Sequence, residues 1–198
     1  ALHTVGSNNP DGVEIKKNKD ENGIPKDGIP FHPYYTVKDI FGVGMFLLIF
    51  LFIVFVKPDM GGLFLEHDNY TPADPGVTPA HIKPVWYFTP FYAILKAVPN
   101  PLGGMILMFT AIILLFTLPW LDRSEVKSIR YRLLPFKIAL FSFVTAFVIL
   151  GWLGMQSGST VQKYMAIVCT AVYFAYFPFL YFYSKNEKHK PIPERLTH

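Results

Sequence analysis

His81-Ile82-Lys83-Pro84-Val85-Trp86-Tyr87-Phe88-Thr89-Pro90-Phe91-Tyr92-Ala93-Ile94-Leu95-Lys96-Ala97-Val98-Pro99-Asn100 is the stretch on which the reading of this chain turns. It lies in a long polar connection between two strongly apolar runs, yet it is itself aromatic, as a plain surface loop would not be. Pro84, Pro90 and Pro99 bracket a segment able to form a short helix, because proline is tolerated in a first turn and disfavoured inside. An aromatic segment between two membrane spans lies at the interface or folds back into protein. Trp and Tyr suit the interface, where the ring is apolar and the N–H or O–H stays wet. Two readings stay open on pattern alone: an interfacial anchor, or a wall of a ligand pocket near the membrane surface.

Working outward, the 198-residue chain is 52% hydrophobic and 17% aromatic. Its mean hydropathy is positive, and four apolar runs approach spanning length. The expected fold is all-α and integral to the membrane. A four-helix transmembrane domain over 39–183 has spans at about 39–56, 102–121, 134–154 and 164–183. The loop 57–101 carries short interfacial helices, and a loop this long is uncommon without a job or its own structure. Residues 1–38 form a polar segment in which Lys16 to Gly23 is a solvated, mobile insert. Residues 184–198 form a basic, proline-containing tail expected to fray. Thr36 and Asp39 read as a capping-box-like start to the first span. Gly42 and Gly44 would allow close helix contact there, and Gln156 to Thr160 reads as a polar turn.

The net charge of +4 is spread among loops beside spans and is no nucleic-acid footprint. Lysine and arginine of the N-terminal segment, the 123–132 link with Lys137, and the tail number fourteen; the other side holds Lys57, Lys83, Lys96 and Lys163. That asymmetry puts both termini inside and the aromatic loop outside. The chain opens Ala1-Leu2-His3-Thr4 without an initiator Met or a signal-like n-region. The expectation is that these residues are the tail of an earlier element. Cys169, the single cysteine, reads as a small core residue.

His3, His32, His67, His81, His189 and His198 all fall in loops or at termini. A haem buried in a bundle needs ligands projecting inward from helices, so no metal is expected to be held by this chain. There is also no Cys-x-x-Cys-His motif, phosphate loop or nucleophile triad in the sequence.

Pro84-Val85-Trp86-Tyr87, followed by Pro90-Phe91-Tyr92-Ala93-Ile94-Leu95, resembles the Pro-Glu-Trp-Tyr region of the cytochrome b family, with Val85 standing where the motif has Glu. Leu2 to Pro10 and Pro30 to Asp39 resemble the connection before that family's fifth helix. Asp68 to Ala73 and Lys127 to Arg132 fit as well, in family order over essentially the whole chain. The resemblance implies helices five to eight, the C-terminal half of a ubiquinol–cytochrome c reductase core. It implies two b-type haems ligated upstream of Ala1 in an N-terminal haem-binding half. It further implies a Rieske iron–sulfur protein taking one electron while the other crosses the membrane, a cytochrome c-type subunit, a homodimeric complex, lipid, and a bacterial plasma membrane.

The resemblance also implies two quinone sites. At the outer, quinol-oxidation site Pro84, Val85, Trp86 and Phe88 form the wall, with Tyr87 and Tyr92 donating to the quinone. Quinol oxidation releases two protons and wants an acceptor that reaches water. Val85 cannot serve, and Glu66, with His67 beside it, is the nearest titratable candidate on the loop. At the inner, quinone-reduction site His3 and Asp39 would relay protons, while Ser7, Phe31 and Lys38 bind, Lys38 holding Asp39 ionised. Without the resemblance His3 is an exposed terminal histidine, Asp39 a helix cap and Glu66 a rim carboxylate. Two rivals differ in what they require. A transporter component wants ionisable residues at mid-span, and the spans have none. A non-catalytic structural membrane subunit predicts no quinone contact with residues 81–92.

Overall fold

The computed structural model describes residues 9–65, 67–78 and 82–196. Four helices among them are long and apolar enough to cross a membrane: α1 Tyr34–Val56, α3 Pro101–Leu121, α4 Leu134–Gly154 and α5 Thr160–Ser184. At 1.5 Å per residue they reach roughly 31–38 Å, enough for a hydrocarbon core of about 30 Å. A shorter helix, α2 Thr89–Ala97, and two 3₁₀ turns, His67–Tyr70 and Trp86–Phe88, lie in the loop between α1 and α3. The chain divides into two compact units, Ala1–Thr78 with Ile192–His198, and Pro79–Pro191.

In the first unit, the polar segment before α1, including the insert, is turned by hydrogen bonds. Asn9 Oδ1 accepts from the Asp11 and Val13 amides, and Asp20 Oδ1 from those of Asn22 and Ile24. Asp27, buried, is held by Arg195 at 3.2 Å. The first span starts earlier than expected. Pro33 is the N-cap, and its carbonyl accepts from Val37. A proline has no N–H to satisfy, so the helix follows it directly. Thr36 therefore lies inside the first turn, where its hydroxyl meets His32 Nδ1 at 3.2 Å, and Asp39 lies beyond that turn. The capping box expected from Thr36 and Asp39 is not formed. No residue of α1 is buried, and a Cβ on Gly42 or Gly44 would meet nothing within 4 Å.

In the second unit, α3, α4 and α5 pack around α2. Asn100 caps α3, its side chain accepting from Leu102 and Gly103, with Pro101 in the first turn. The last span begins four residues ahead of expectation. Ser159 and Gln162 form a capping box there, which satisfies two orphan amides reciprocally. The core gathers Ala93, Ile94 and Ala97 of α2, Ala111 of α3, Leu150 and Leu153 of α4, and Ala166, Tyr173 and Phe177 of α5. Tyr173, fully buried, donates its hydroxyl to the Ala111 carbonyl at 2.9 Å, so the phenol brings no unsatisfied group inside. Phe143 stacks on Tyr173 and Tyr176 at 4.9 and 4.5 Å.

Where α3 and α5 end, Arg132 ties the chain together. Its guanidinium pairs with Asp122 at 2.7 Å and Glu187 at 2.7 Å, and lies 3.3 Å over the Phe136 ring. Burial alone would lower the Arg132 pKa, but hydrogen bonds to Glu187 and Asp122 and their charge outweigh it and raise the pKa. The Lys190 amide donates to the Tyr131 carbonyl, so this part of the tail is paired rather than frayed.

Candidate functional site

The 81–100 stretch becomes a turn and a wedge. Val85 precedes the 3₁₀ turn Trp86–Phe88, whose last amide donates back to the Val85 carbonyl at 2.8 Å. Thr89 then begins α2. It is 2% exposed, and its hydroxyl donates to the Trp86 carbonyl at 2.6 Å. That bond fixes the turn from below. Pro90 sits in the first turn of α2, where its missing N–H costs nothing.

Two glycines seat the wedge. A Cβ on Gly154, at the end of α4, would run into the Thr89 carbonyl; one on Gly104, near the start of α3, would run into the Leu95 carbonyl. Backbone therefore approaches backbone at both ends of α2, which only glycine permits. The apolar face of α2 is buried, and the turn in front of it is not. Val85, Trp86, Tyr87 and Phe88 are 45–55% exposed. Trp86 meets Tyr87 edge to face at 5.6 Å, and Tyr87 meets Phe88 at 5.1 Å. Of the expected outer-wall residues, Trp86, Tyr87 and Phe88 thus form one contiguous aromatic ridge, with exposed Val85 before it.

Tyr92, in the first turn of α2, is half-buried. With Ile82, Lys83, Lys96 and the Gly154–Ser157 corner it lines a cleft of about 390 Å³. Lys96 reaches across it, its ammonium 4.6 Å from the Tyr92 ring centroid and donating to the Gln156 carbonyl at 3.2 Å. Burial pushes the Lys96 pKa down. Thr89, Lys96, Gly104, Gly154 and Gln156 escaped sequence reasoning as site residues. The Thr-Pro pair opening a short amphipathic segment signalled Thr89; nothing in the pattern signalled Gln156.

Glu66 lies outside the described residues. Just after it, the Thr71 amide donates to the Asp68 carbonyl at 3.2 Å, closing a turn. Of the inner set, His3 and Ser7 also lie outside the described residues. Phe31 is exposed and stacks on Tyr35 at 6.1 Å. Lys38 sits 5.6 Å over the same Tyr35 ring and forms no described ion pair with Asp39, which is exposed on α1. Phe31, Tyr35 and Lys38 therefore make one stacked cluster, with exposed Asp39 next to it in the chain. Among the described residues no group of three His, Cys, Asp or Glu could hold a metal.

The family model described as Cytochrome b(C-terminal)/b6/petD matches residues 72–174. Cytochrome b of Allochromatium vinosum is 56% identical over 205 residues, covering 100% of this chain and 50% of the relative. Cytochrome b of Rickettsia bellii is 48% identical, covering 99% of this chain and 46% of the relative. Among solved structures, a chain of a "Hyperthermophilic respiratory Complex III" superposes with a TM-score of 0.80 at 32% identity, covering 91% of this chain and 44% of that one. This chain thus spans about half the length of these relatives. A family match over more than half the chain, relatives aligned along its whole length, and the same helical arrangement in a solved complex agree: the chain belongs to the cytochrome b (C-terminal)/b6/petD family.

Proposed function

We propose that this chain acts as the C-terminal half of a cytochrome b and supplies walls to both quinone sites of a quinol:cytochrome c oxidoreductase. The observation that carries this reading is the aromatic ridge Trp86–Phe88, exposed on one side and fixed below by buried Thr89 against Gly154. Aromatic faces suit a quinone ring. Pro84, Val85, Trp86 and Phe88 hold it, and the Tyr87 and Tyr92 hydroxyls donate to its oxygens. Each quinol oxidised releases two protons. Val85 has no basic group, so Glu66 takes a proton and passes it to water on the outer side. At the inner site Phe31, Lys38 and Ser7 bind the quinone. His3 and Asp39 deliver the two protons its reduction consumes.

The long helices contain no histidine. This chain's own residues do not fit the ligand set of two b-type haems. Those ligands belong to an N-terminal half. The remaining partners of this reading are a Rieske iron–sulfur protein, a cytochrome c-type subunit, a second copy in a homodimeric complex, and lipid. Its setting is the bacterial plasma membrane with both termini inside.

Flash-induced kinetics of the assembled complex test the assignment, with outer-site and inner-site inhibitors applied in turn. Loss of a general base typically slows a step about 10²–10⁴-fold. Glu66→Gln and Trp86→Ala are expected to slow quinol oxidation and spare quinone reduction; Asp39→Asn is expected to do the reverse. Wild-type kinetics at both sites in all three variants would refute the reading.

A further inference from the structure

Arg123 and Lys185 stand at the end of the bundle where α3 and α5 stop. The Arg123 amide donates to Ser184 Oγ at 2.9 Å, and that hydroxyl donates to the Leu121 carbonyl at 3.3 Å. The two helix ends are therefore fixed against each other. The Arg123 guanidinium lies 3.7 Å over the Tyr181 ring. Lys185 keeps helical backbone angles four residues beyond Tyr181, so the two side chains leave the same face. Both cations lack an acidic partner among the described residues. Of the acids nearest in sequence, Asp122 binds Arg132 through both oxygens and Glu187, its side chain 1% exposed, binds Arg132 as well, while exposed Glu125 forms no described bond to either cation.

A guanidinium laid flat on a ring keeps its N–H edge free, and that planar fork matches a phosphate with two parallel bonds. The surface beside it is apolar and open. Phe182, 73% exposed, meets the Tyr181 ring edge to face at 5.2 Å, and Trp120, 74% exposed, lies in the last turn of α3, three residues before Arg123. A free phosphate ion has no use for such flanks, whereas acyl chains do. We propose that Arg123 and Lys185, with Tyr181 as platform, bind the phosphate of an anionic phospholipid whose chains lie beside Phe182 and Trp120.

The test uses the assembled complex, delipidated and returned to nanodiscs of phosphatidylglycerol and phosphatidylcholine at equal mole fraction, with bound lipid counted by native mass spectrometry. Wild type is expected to retain one more phosphatidylglycerol per copy of this chain than Arg123→Gln with Lys185→Gln. Tyr181→Leu, which keeps both charges, is expected to lose most of that retention, and Arg123→Lys part of it. Millimolar inorganic phosphate should not displace the lipid. Equal retention in the wild type and the double variant, or no preference for phosphatidylglycerol over phosphatidylcholine, overturns the proposal. Displacement by inorganic phosphate overturns it too, since the site would then be one for a free anion.

Discussion

Arg132 is the residue whose importance the sequence least reveals. In the linear pattern it is one of several cations in a basic link, and a positive-inside count treats them alike. The fold separates them: Arg123 lies on a ring at the surface, whereas Arg132 is 4% exposed between two carboxylates. The distinction depends on Glu187, fifty-five residues away, and periodicity carries no such information. Removing one partner of a buried ion network leaves the others uncompensated, at about 3–5 kcal/mol. Arg132→Leu is therefore expected to destabilise the bundle by that order. Arg132→Lys should recover only part of the loss, because one ammonium cannot serve both carboxylates with a planar fork. Thermal denaturation of the purified complex measures both, and an Arg132→Leu variant melting like wild type would remove the network's role. Since the Arg132 pKa is raised, its stabilising charge is fully present below the ordinary arginine value and is lost only above the folded one, so it adds no pH dependence near neutrality.

At the scale of elements, the spans were legible because each is a long apolar run, and their ends were less so. α1 starts early because Pro33 serves as its N-cap, and α5 because the Ser159–Gln162 box outweighs the polar look of its first turn. The short helix within the aromatic stretch was legible from its bracketing prolines; its seat was not. The sequence drew attention to Gly42 and Gly44, yet close helix approach occurs at Gly104 and Gly154, where the backbone of α2 passes. A Cβ at Gly154 must push the start of α2 and with it the Trp86–Phe88 turn. Overpacking typically costs about 1–3 kcal/mol. Gly154→Ala is expected to weaken outer-site inhibitor binding roughly tenfold or more if that cost falls on the ridge. Gly151→Ala is the control: its Cβ would meet Pro90 Cγ at 3.4 Å, an ordinary contact, and binding should stay near wild type. Inhibitor titration of the assembled complex compares the two. Equal affinities would mean that the ridge does not depend on the seat of α2.

For the whole molecule, the decisive feature is what its long helices are made of. They hold aromatic and aliphatic side chains, two internal prolines and no histidine. A bundle that ligates haem must aim imidazoles inward from its helices. Here the equivalent interior, among α3, α4 and α5, is filled by Tyr173, Phe177, Phe143 and Leu150 at close contact. Tyr173 and Thr170 of α5 are both buried, and the Tyr173 hydroxyl is already committed to a carbonyl. Side chains in a closely packed interior resist volume change. This chain, expressed without its relatives' other half, is therefore expected to bind no haem, and co-expression with an N-terminal cytochrome b half should restore b-type absorbance. The reduced-minus-oxidised spectrum of membranes containing each preparation decides it. A stoichiometric b-type band from this chain alone would place an axial ligand in its loops and overturn the division of labour between the two halves.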